Sequence, residues 1–322
     1  MTSTRKRYRE LCAQETSIPL FSQAWWLDAV AADAWDVVLC EKDGNILASM
    51  PFVLKKKVGL KLLAMPTLTQ HLGPWIKPTT GKMSKRLAYE KDVLTELAAL
   101  ILARQFDHFD SNWSYTQSNW LPFYWAGFKQ STRYTYALED LSCKDTLWSQ
   151  FQDNIRREIR KAEGRFMLKV RTDLTAEDFF NLNNLVFERQ GMKIPYSLDL
   201  VKRIDDACAG RSSRAILIAE DEDGRRHAGV YMVWDEHSAY YLMGGADPEL
   251  RNSGASSLCM WEAIKLATTV TTRFDFEGSM LEPVERFFRA FGASQVPYFT
   301  VTKTPSKLLK SYFYLNDLRG RS

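Results

Sequence analysis

Residues 240–292 read YYLMGGADPELRNSGASSLCMWEAIKLATTVTTRFDFEGSMLEPVERFFRAFG, and the order of elements in this stretch decides the fold. An aromatic-rich, strand-like run ends at a double glycine, Gly244 and Gly245. A polar loop follows and closes on Arg251, Asn252, Ser253, Gly254, Ala255 and Ser256. Then come a nearly all-apolar helix, a short strand ending Asp275-Phe276-Glu277-Gly278, and an amphipathic helix over residues 280–290. A glycine-bearing loop that opens a helix suits phosphate, because the first turn presents unpaired N–H groups and a positive dipole end. Backbone N–H groups at Gly254, Ala255 and Ser256 are the candidate cradle, with Arg251 adding charge-assisted hydrogen bonds. The same residues also suit an ordinary helix cap, since Ser253 alone makes a good N-cap.

Two carboxylates follow on the next strand. Asp275 and Glu277 alternate with Phe274 and Phe276, so both share one strand face. A carboxylate there is a candidate general base, with a pKa raised by the surrounding phenylalanines. Its structural alternative is a cap for the next helix or an ion pair with Arg286. Glycine at 244 permits a bulge and a close approach of ligand to backbone, so its N–H is a candidate donor to a bound ligand. A tight turn into Asp247-Pro248 explains the same glycines equally well. Glu285 and Arg289 form an i,i+4 helix pair and need no functional role.

Composition narrows the class. A chain of 322 residues suffices for one large or two ordinary domains, and 45% hydrophobic with 25% charged residues is globular composition. No apolar run approaches the roughly 18–20 residues of a membrane span. The basic N-terminus has no apolar segment behind it, so it does not read as a signal peptide. Five scattered cysteines without ligand spacing point to reduced thiols in the cytoplasm and to no metal site. The four histidines, His71, His108, His227 and His237, stand alone in sequence. A net charge of +4 is too mild to imply DNA binding. Nucleotide-binding and hydrolase signatures (Gx4GK[ST], GxSxG, GxGxxG) are absent.

Along the chain, two halves repeat one order. The first reads as a helix at 21–31, a hairpin of 37–40 and 46–54 turned at Asp43-Gly44, a strand at 60–64, a helix at 90–104, and strands at 108–113 and 133–138. A helix at 146–166 opens the second, its apolar stripe formed by Trp148, Phe151, Ile155, Ile159 and Ala162. Helices at 176–189 and 198–209 follow, then strands at 215–219, 229–234 and 239–243, the first two joined by a turn at Asp223-Gly224. The tail, 305–322, reads as a basic amphipathic helix packed back on one domain. Mixed α/β sheets flanked by helices are expected in both halves, as domains 1–145 and 146–322. Trp75 and His71, beside Gly73-Pro74, are candidates for shaping a cleft. Arg156 and Arg160 flank the apolar stripe as candidates for substrate phosphates or as a solvated face.

The RxxGxS loop between strand and buried helix resembles the second half of a GNAT-type acyltransferase domain. More of the chain is similar to the Fem group, transferases built from two tandem GNAT-like domains. The similarity rests on Gly73-Pro74-Trp75, on residues 154–162 (NIRREIRKA), and on the segment quoted above. It implies that the loop holds the coenzyme A pyrophosphate, that Lys303 in a late strand lies near the transferred carbonyl, and that the active site is in the second domain. The long helical-hairpin insertion of some members is absent. The expected function is therefore transfer of an acyl group from acyl-CoA to an acceptor amine, in cell-envelope or surface-glycan metabolism of a bacterial cytoplasm. The alternatives are transfer from aminoacyl-tRNA to a peptidoglycan precursor, and a non-catalytic ligand-binding protein. The sequence leaves the oligomeric state open.

Overall fold

The computed structural model describes residues 3–278 and 280–319. The chain divides into two compact units, one of residues 1–133 with 297–322 and one of residues 134–296. The division thus falls twelve residues ahead of the expected 145/146 break, and the end of the chain returns to the first unit.

The first unit begins with α1 (Ser3–Gln14) and α2 (Ala24–Ala31). Strands β1 (Trp35–Lys42) and β2 (Asn45–Lys57) form the expected hairpin, with Asp43 and Gly44 both at positive φ in the turn. After β3 (Leu60–Ala64) and β4 (Trp75–Ile76) comes α3 (Met83–Leu102), which starts seven residues before the expected helix. Its exposed first turns carry no apolar stripe for periodicity to detect. Next are β5 (His108–Asn112), α4 (Leu121–Trp125) and β6 (Lys129–Leu138), within which the chain enters the second unit.

That unit continues with α5 (Lys144–Gln150) and α6 (Asp153–Gly164). The single helix expected over 146–166 is broken, because Phe151 and Gln152 take extended conformations. The break lets the Phe151 ring pack edge-on against Trp261 and Phe291, both at 5.1 Å, while Gln152 N–H donates to Ala290 O. The chain continues through β7 (Lys169–Arg171), α7 (Ala176–Arg189) and α8 (Leu198–Ala209), and then β8 (Arg214–Glu220), β9 (Arg226–Trp234) and β10 (Ala239–Ala246). It ends with α9 (Ala255–Ala267), β11 (Phe274–Asp275), α10 (Glu282–Arg289), β12 (Ser294–Lys303) and α11 (Lys307–Arg319). The chain re-enters the first unit within β12, so α11 belongs there; the last three residues of the expected tail helix lie outside the described residues.

Strand order in the first unit is β1-β2-β3-β5-β12, with β4 on β2, and β3–β5 is its parallel pair. In the second unit the order is β6-β11-β10-β9-β8-β7. All its neighbours are antiparallel except β10 and β11, which pair only at Ala239–Phe274 and Tyr240–Asp275 before β11 stops. Alternation sends Leu217, Val230 and Met232 to one face of that sheet, under α6 and α9. Tyr231 points to the other face, meeting Phe179 of α7 and, through its hydroxyl, Asp205 of α8. Both halves are mixed α/β, as expected. Among the described residues no helix is long and apolar enough to cross a membrane.

Candidate active site

The two inner strands of the second unit part company just after Tyr240 and Asp275. β10 runs on for six residues to Ala246, and the β11 backbone turns away through Phe276, Glu277 and Gly278. Their pairing ends there, and the carboxylates expected from sequence stand at that point.

Asp275 is 2% exposed. Its Oδ1 accepts from the Thr135 hydroxyl on β6 and from the Glu277 N–H at 2.8 Å. Burial raises its carboxyl to about 6 against those two hydrogen bonds, which favour the ionised form. Glu277 follows in left-handed backbone, φ +57°, and so does Gly278. A non-glycine residue there carries a strain of about 1–3 kcal/mol. The Asp275 carboxylate holds the turn in place, and Gly278 has no room for a side chain: a Cβ would stand 2.2 Å from Tyr134 O. Glu277 as a residue is half-buried, whereas its carboxylate Oε1 is shielded from solvent. Burial, and next the charge of Asp275, push the Glu277 carboxyl well above the ordinary carboxylate range. Neither acid caps α10 or pairs with Arg286 among the described contacts; Glu285 takes the Tyr136 hydroxyl and Arg289 instead.

Strand β10 differs from expectation in one respect. The bulge lies between Tyr241 and Met243, not at the glycines, and Gly244 and Gly245 continue the strand opposite Val230 and Gly229. Each lacks a side chain for a packing reason. The Tyr241 hydroxyl sits where a Gly244 Cβ would be, 1.6 Å from that position, and the Asn183 backbone of α7 is 2.7 Å from a Gly245 Cβ. Asp247 N–H bonds to His227 O across the ladder, so alternation turns the Gly244 N–H and C=O toward the side where β11 has ended. Asn183 Nδ2 donates to that carbonyl, and the Tyr196 hydroxyl donates to Asn183 Oδ1 at 2.7 Å. Burial, with the nearby Tyr196, Cys259 and Glu277, keeps the Tyr241 phenol protonated.

Gly254 is the left-handed N-cap of α9, φ +82°. A Cβ there would lie 2.2 Å from Glu158 O of α6, so this glycine is required by the crossing of two helices. Gly254, Ala255 and Ser253 are buried, and the Ser253 hydroxyl accepts only a long 3.4 Å contact from Ala255 N–H. Arg251, Asn252 and Ser256 are exposed at the same helix start. Of the expected cradle, Arg251 and Ser256 remain open to solvent.

The remaining candidates lie elsewhere. Arg156 ties the end of α5, donating to Trp148 O and to Ser149 O at 2.9 Å and pairing with Asp153. Arg160 is exposed, its guanidinium 5.8 Å over Trp148. In the first unit, Trp75 is buried with its indole N–H on Ser17 Oγ, and His71 is buried edge-on to Phe21, so both are core residues and not cleft walls. Lys303 also belongs to the first unit, where its Nζ donates to Ala126 O. His227, isolated in sequence, pairs in the fold with Asp221 at 3.0 Å.

Sequence reasoning missed Asn183, Tyr196 and Tyr241. Asn183 did leave a signal: it is a polar residue inside the apolar stripe of α7, next to Phe179 and Leu182.

A family model described as an acetyltransferase (GNAT) domain matches residues 149–289, which lie wholly within the second unit. This segment is thus similar to a GNAT domain. No curated protein matches the chain. Solved structures do, several of them over nearly the whole of both chains. The crystal structure of FemX is 14% identical with a TM-score of 0.69, covering 97% of this chain and 98% of that one. A tandem GNAT protein from the clavulanic acid biosynthesis pathway is 10% identical with a TM-score of 0.56, covering 93% and 94%. L-PGS from Bacillus licheniformis is 12% identical with a TM-score of 0.57, covering 98% and 97%. The fold is therefore that of the tandem GNAT proteins, and the carboxylate pair lies inside the matched segment.

Proposed function

We propose that the second unit transfers an acyl group to an acceptor amine, with Glu277 as general base and Asp275 as the group that positions and tunes it. The observation that carries this reading is the buried carboxylate pair where β10 and β11 separate, with one carboxyl raised to about 6 and the other raised by burial and by its neighbour's charge. A base in such surroundings grips a proton more firmly than a solvated carboxylate, which suits removal of one from an amine under attack. The Gly244 N–H, on the open side of β10, is the proposed donor to the oxyanion. The neutral Tyr241 phenol is the proposed donor of a proton to the leaving group. In balance, a C–N bond forms, the acyl bond to the donor breaks, the amine proton goes to Glu277 and the leaving group takes one from Tyr241.

The proposed donor is acyl-CoA, with its phosphates at the exposed Arg251 and Ser256 of the α9 start. The close cover of α6 over Gly254 favours a second donor, aminoacyl-tRNA, since it narrows the cradle a pyrophosphate would use. For the acceptor we propose a cell-envelope or surface-glycan precursor in the cytoplasm, on the resemblance to the Fem group; the free state of all five cysteines agrees with that compartment.

Thermal shift of the full chain separates the readings. A ligand at 100 times its Kd stabilises by about 2.7 kcal/mol. Stabilisation by acetyl-CoA and not by aminoacyl-tRNA supports the first donor, and the reverse supports the second. Binding of either without turnover of any amine would leave a ligand-binding protein and overturn catalysis.

A further inference from the structure

The first unit contains a cavity of about 700 Å3, lined by the loop after α4, the end of β12 and the side of α11. Three lysines face it, Lys129, Lys303 and Lys310, and its described lining includes no carboxylate. Among the described residues none of the three forms a salt bridge. An ordinary lysine-bearing surface has acids interleaved with its bases. This one concentrates like charge.

Lys303 is the innermost. Its Nζ donates to Ala126 O at 2.7 Å and stands 5.1 Å over the Phe128 ring. Gly127, at φ +79°, leaves the space it needs, because a Cβ there would be 2.9 Å from Nζ. Burial, and then the charge of Lys310, lower the Lys303 pKa, as expected of cations that share a hollow without a counterion. Phe313 and Tyr314 of α11 add two partly exposed rings to the wall, and Phe313 is fixed edge-on to His108 at 5.1 Å. Thr302 and Thr304 contribute to the lining beside them.

Clustered cations call for a multiply charged anion, and flat aromatic walls call for a ring to stack on them. The volume lies within the roughly 300–1,000 Å3 of small-molecule sites. We propose that this cavity binds a nucleoside phosphate, its phosphates held by Lys129, Lys303 and Lys310 and its base against Phe313 and Tyr314. This site is separate from the carboxylate pair and does not rest on the acyl-transfer reading. Lys303 is thereby a ligand-holding residue and not a member of the catalytic set.

Calorimetric titration of the full chain with ADP, pyrophosphate and adenosine as probes tests it. ADP is expected to bind more tightly than pyrophosphate, adenosine more weakly than both, and ADP affinity to fall as salt is raised. Lys129→Glu and Lys310→Glu, both at exposed positions, should each weaken ADP about tenfold or more with Tm unchanged. Tyr314→Ala should bring ADP and pyrophosphate closer together. ADP could also occupy the α9 start, so Ser256→Glu serves as the control and should leave the ADP Kd as it was. The proposal is overturned by no ADP binding up to about 1 mM, a threshold for weak association. It is equally overturned by affinity unaltered in both lysine variants, or by loss of binding in Ser256→Glu. Pyrophosphate binding as tightly as ADP would remove the nucleoside from the proposal.

Discussion

The Asp275 carboxylate accepts the backbone N–H of Glu277, two residues on, and at the same time faces the Glu277 carboxyl closely enough to raise its pKa. One residue therefore fixes both the position of its neighbour and its proton affinity. The first two predictions separate these effects.

Glu277→Gln keeps size and left-handed backbone but removes the proton acceptor. Steady-state kinetics should show kcat lower by about 10²–10⁴-fold with donor affinity nearly intact. In the wild type, activity should fall as pH drops through the raised Glu277 pKa, so the acid limb lies above the ordinary carboxylate range. A loss smaller than about tenfold would leave the chemistry to positioning and the Gly244 N–H.

Asp275→Asn retains an oxygen for the Thr135 hydroxyl and the Glu277 N–H while deleting the charge. The acid limb of the pH–rate profile should then move to lower pH, because the second cause of the raised Glu277 pKa is gone. A profile that stays in place would show that Asp275 acts by geometry alone.

Stability has its own pH signature. Asp275 binds its proton more tightly folded, at about 6, than at its ordinary 3.8, so its contribution is full below about pH 4 and is lost as pH rises to about 6. Glu277 adds a loss of the same sign at higher pH. Denaturant midpoints from pH 4 to pH 8 should fall more steeply in the wild type than in Asp275→Asn.

At the α9 start, Gly254→Ala should lower stability by about 1–3 kcal/mol, because both the positive φ and the Glu158 carbonyl oppose a Cβ. The fold-neutral probe of donor binding is Ser256→Glu, on the exposed side of the first turn. It should weaken a phosphate-bearing donor by opposing the helix dipole while leaving Tm near the wild-type value. Unchanged affinity for both acetyl-CoA and aminoacyl-tRNA in that variant would make the loop a simple cap.

Arg156→Ala should release the end of α5 and cost about 1–2 kcal/mol in equilibrium unfolding, the worth of hydrogen bonds from a charged donor. If Arg156 also held substrate, KM would rise in step; the tie to Trp148 and Ser149 predicts that it does not.

Much of this architecture was legible in residue order. Helices α7 and α8 fall on their expected bounds because each carries a full apolar stripe with a Thr or Ser cap. The carboxylates were legible because charges beside Phe274 and Phe276 are conspicuous. What stayed hidden was long-range. Nothing near Gly254 announces that the partner needing its bare backbone is Glu158, nor near Gly245 that it is Asn183. Phe151 satisfies helical periodicity in a local window and breaks the helix because Trp261 and Phe291, more than a hundred residues later, offer it a better place. Trp75 and His71 looked like cleft residues because their flanks are loop-like, and burial is not a local property.

The return of β12 to the first unit has a consequence for biosynthesis. Strand β5 takes β12 as a partner, and Thr300 reaches Asn112 across 188 positions of sequence. The unit that leaves the ribosome first is thus completed last, after the whole second unit has emerged. Until then β5 presents an unpaired edge to its surroundings, a surface open to wrong strand partners. Nascent chains halted between residues 134 and 296 should accordingly rely on chaperones more than the finished protein does.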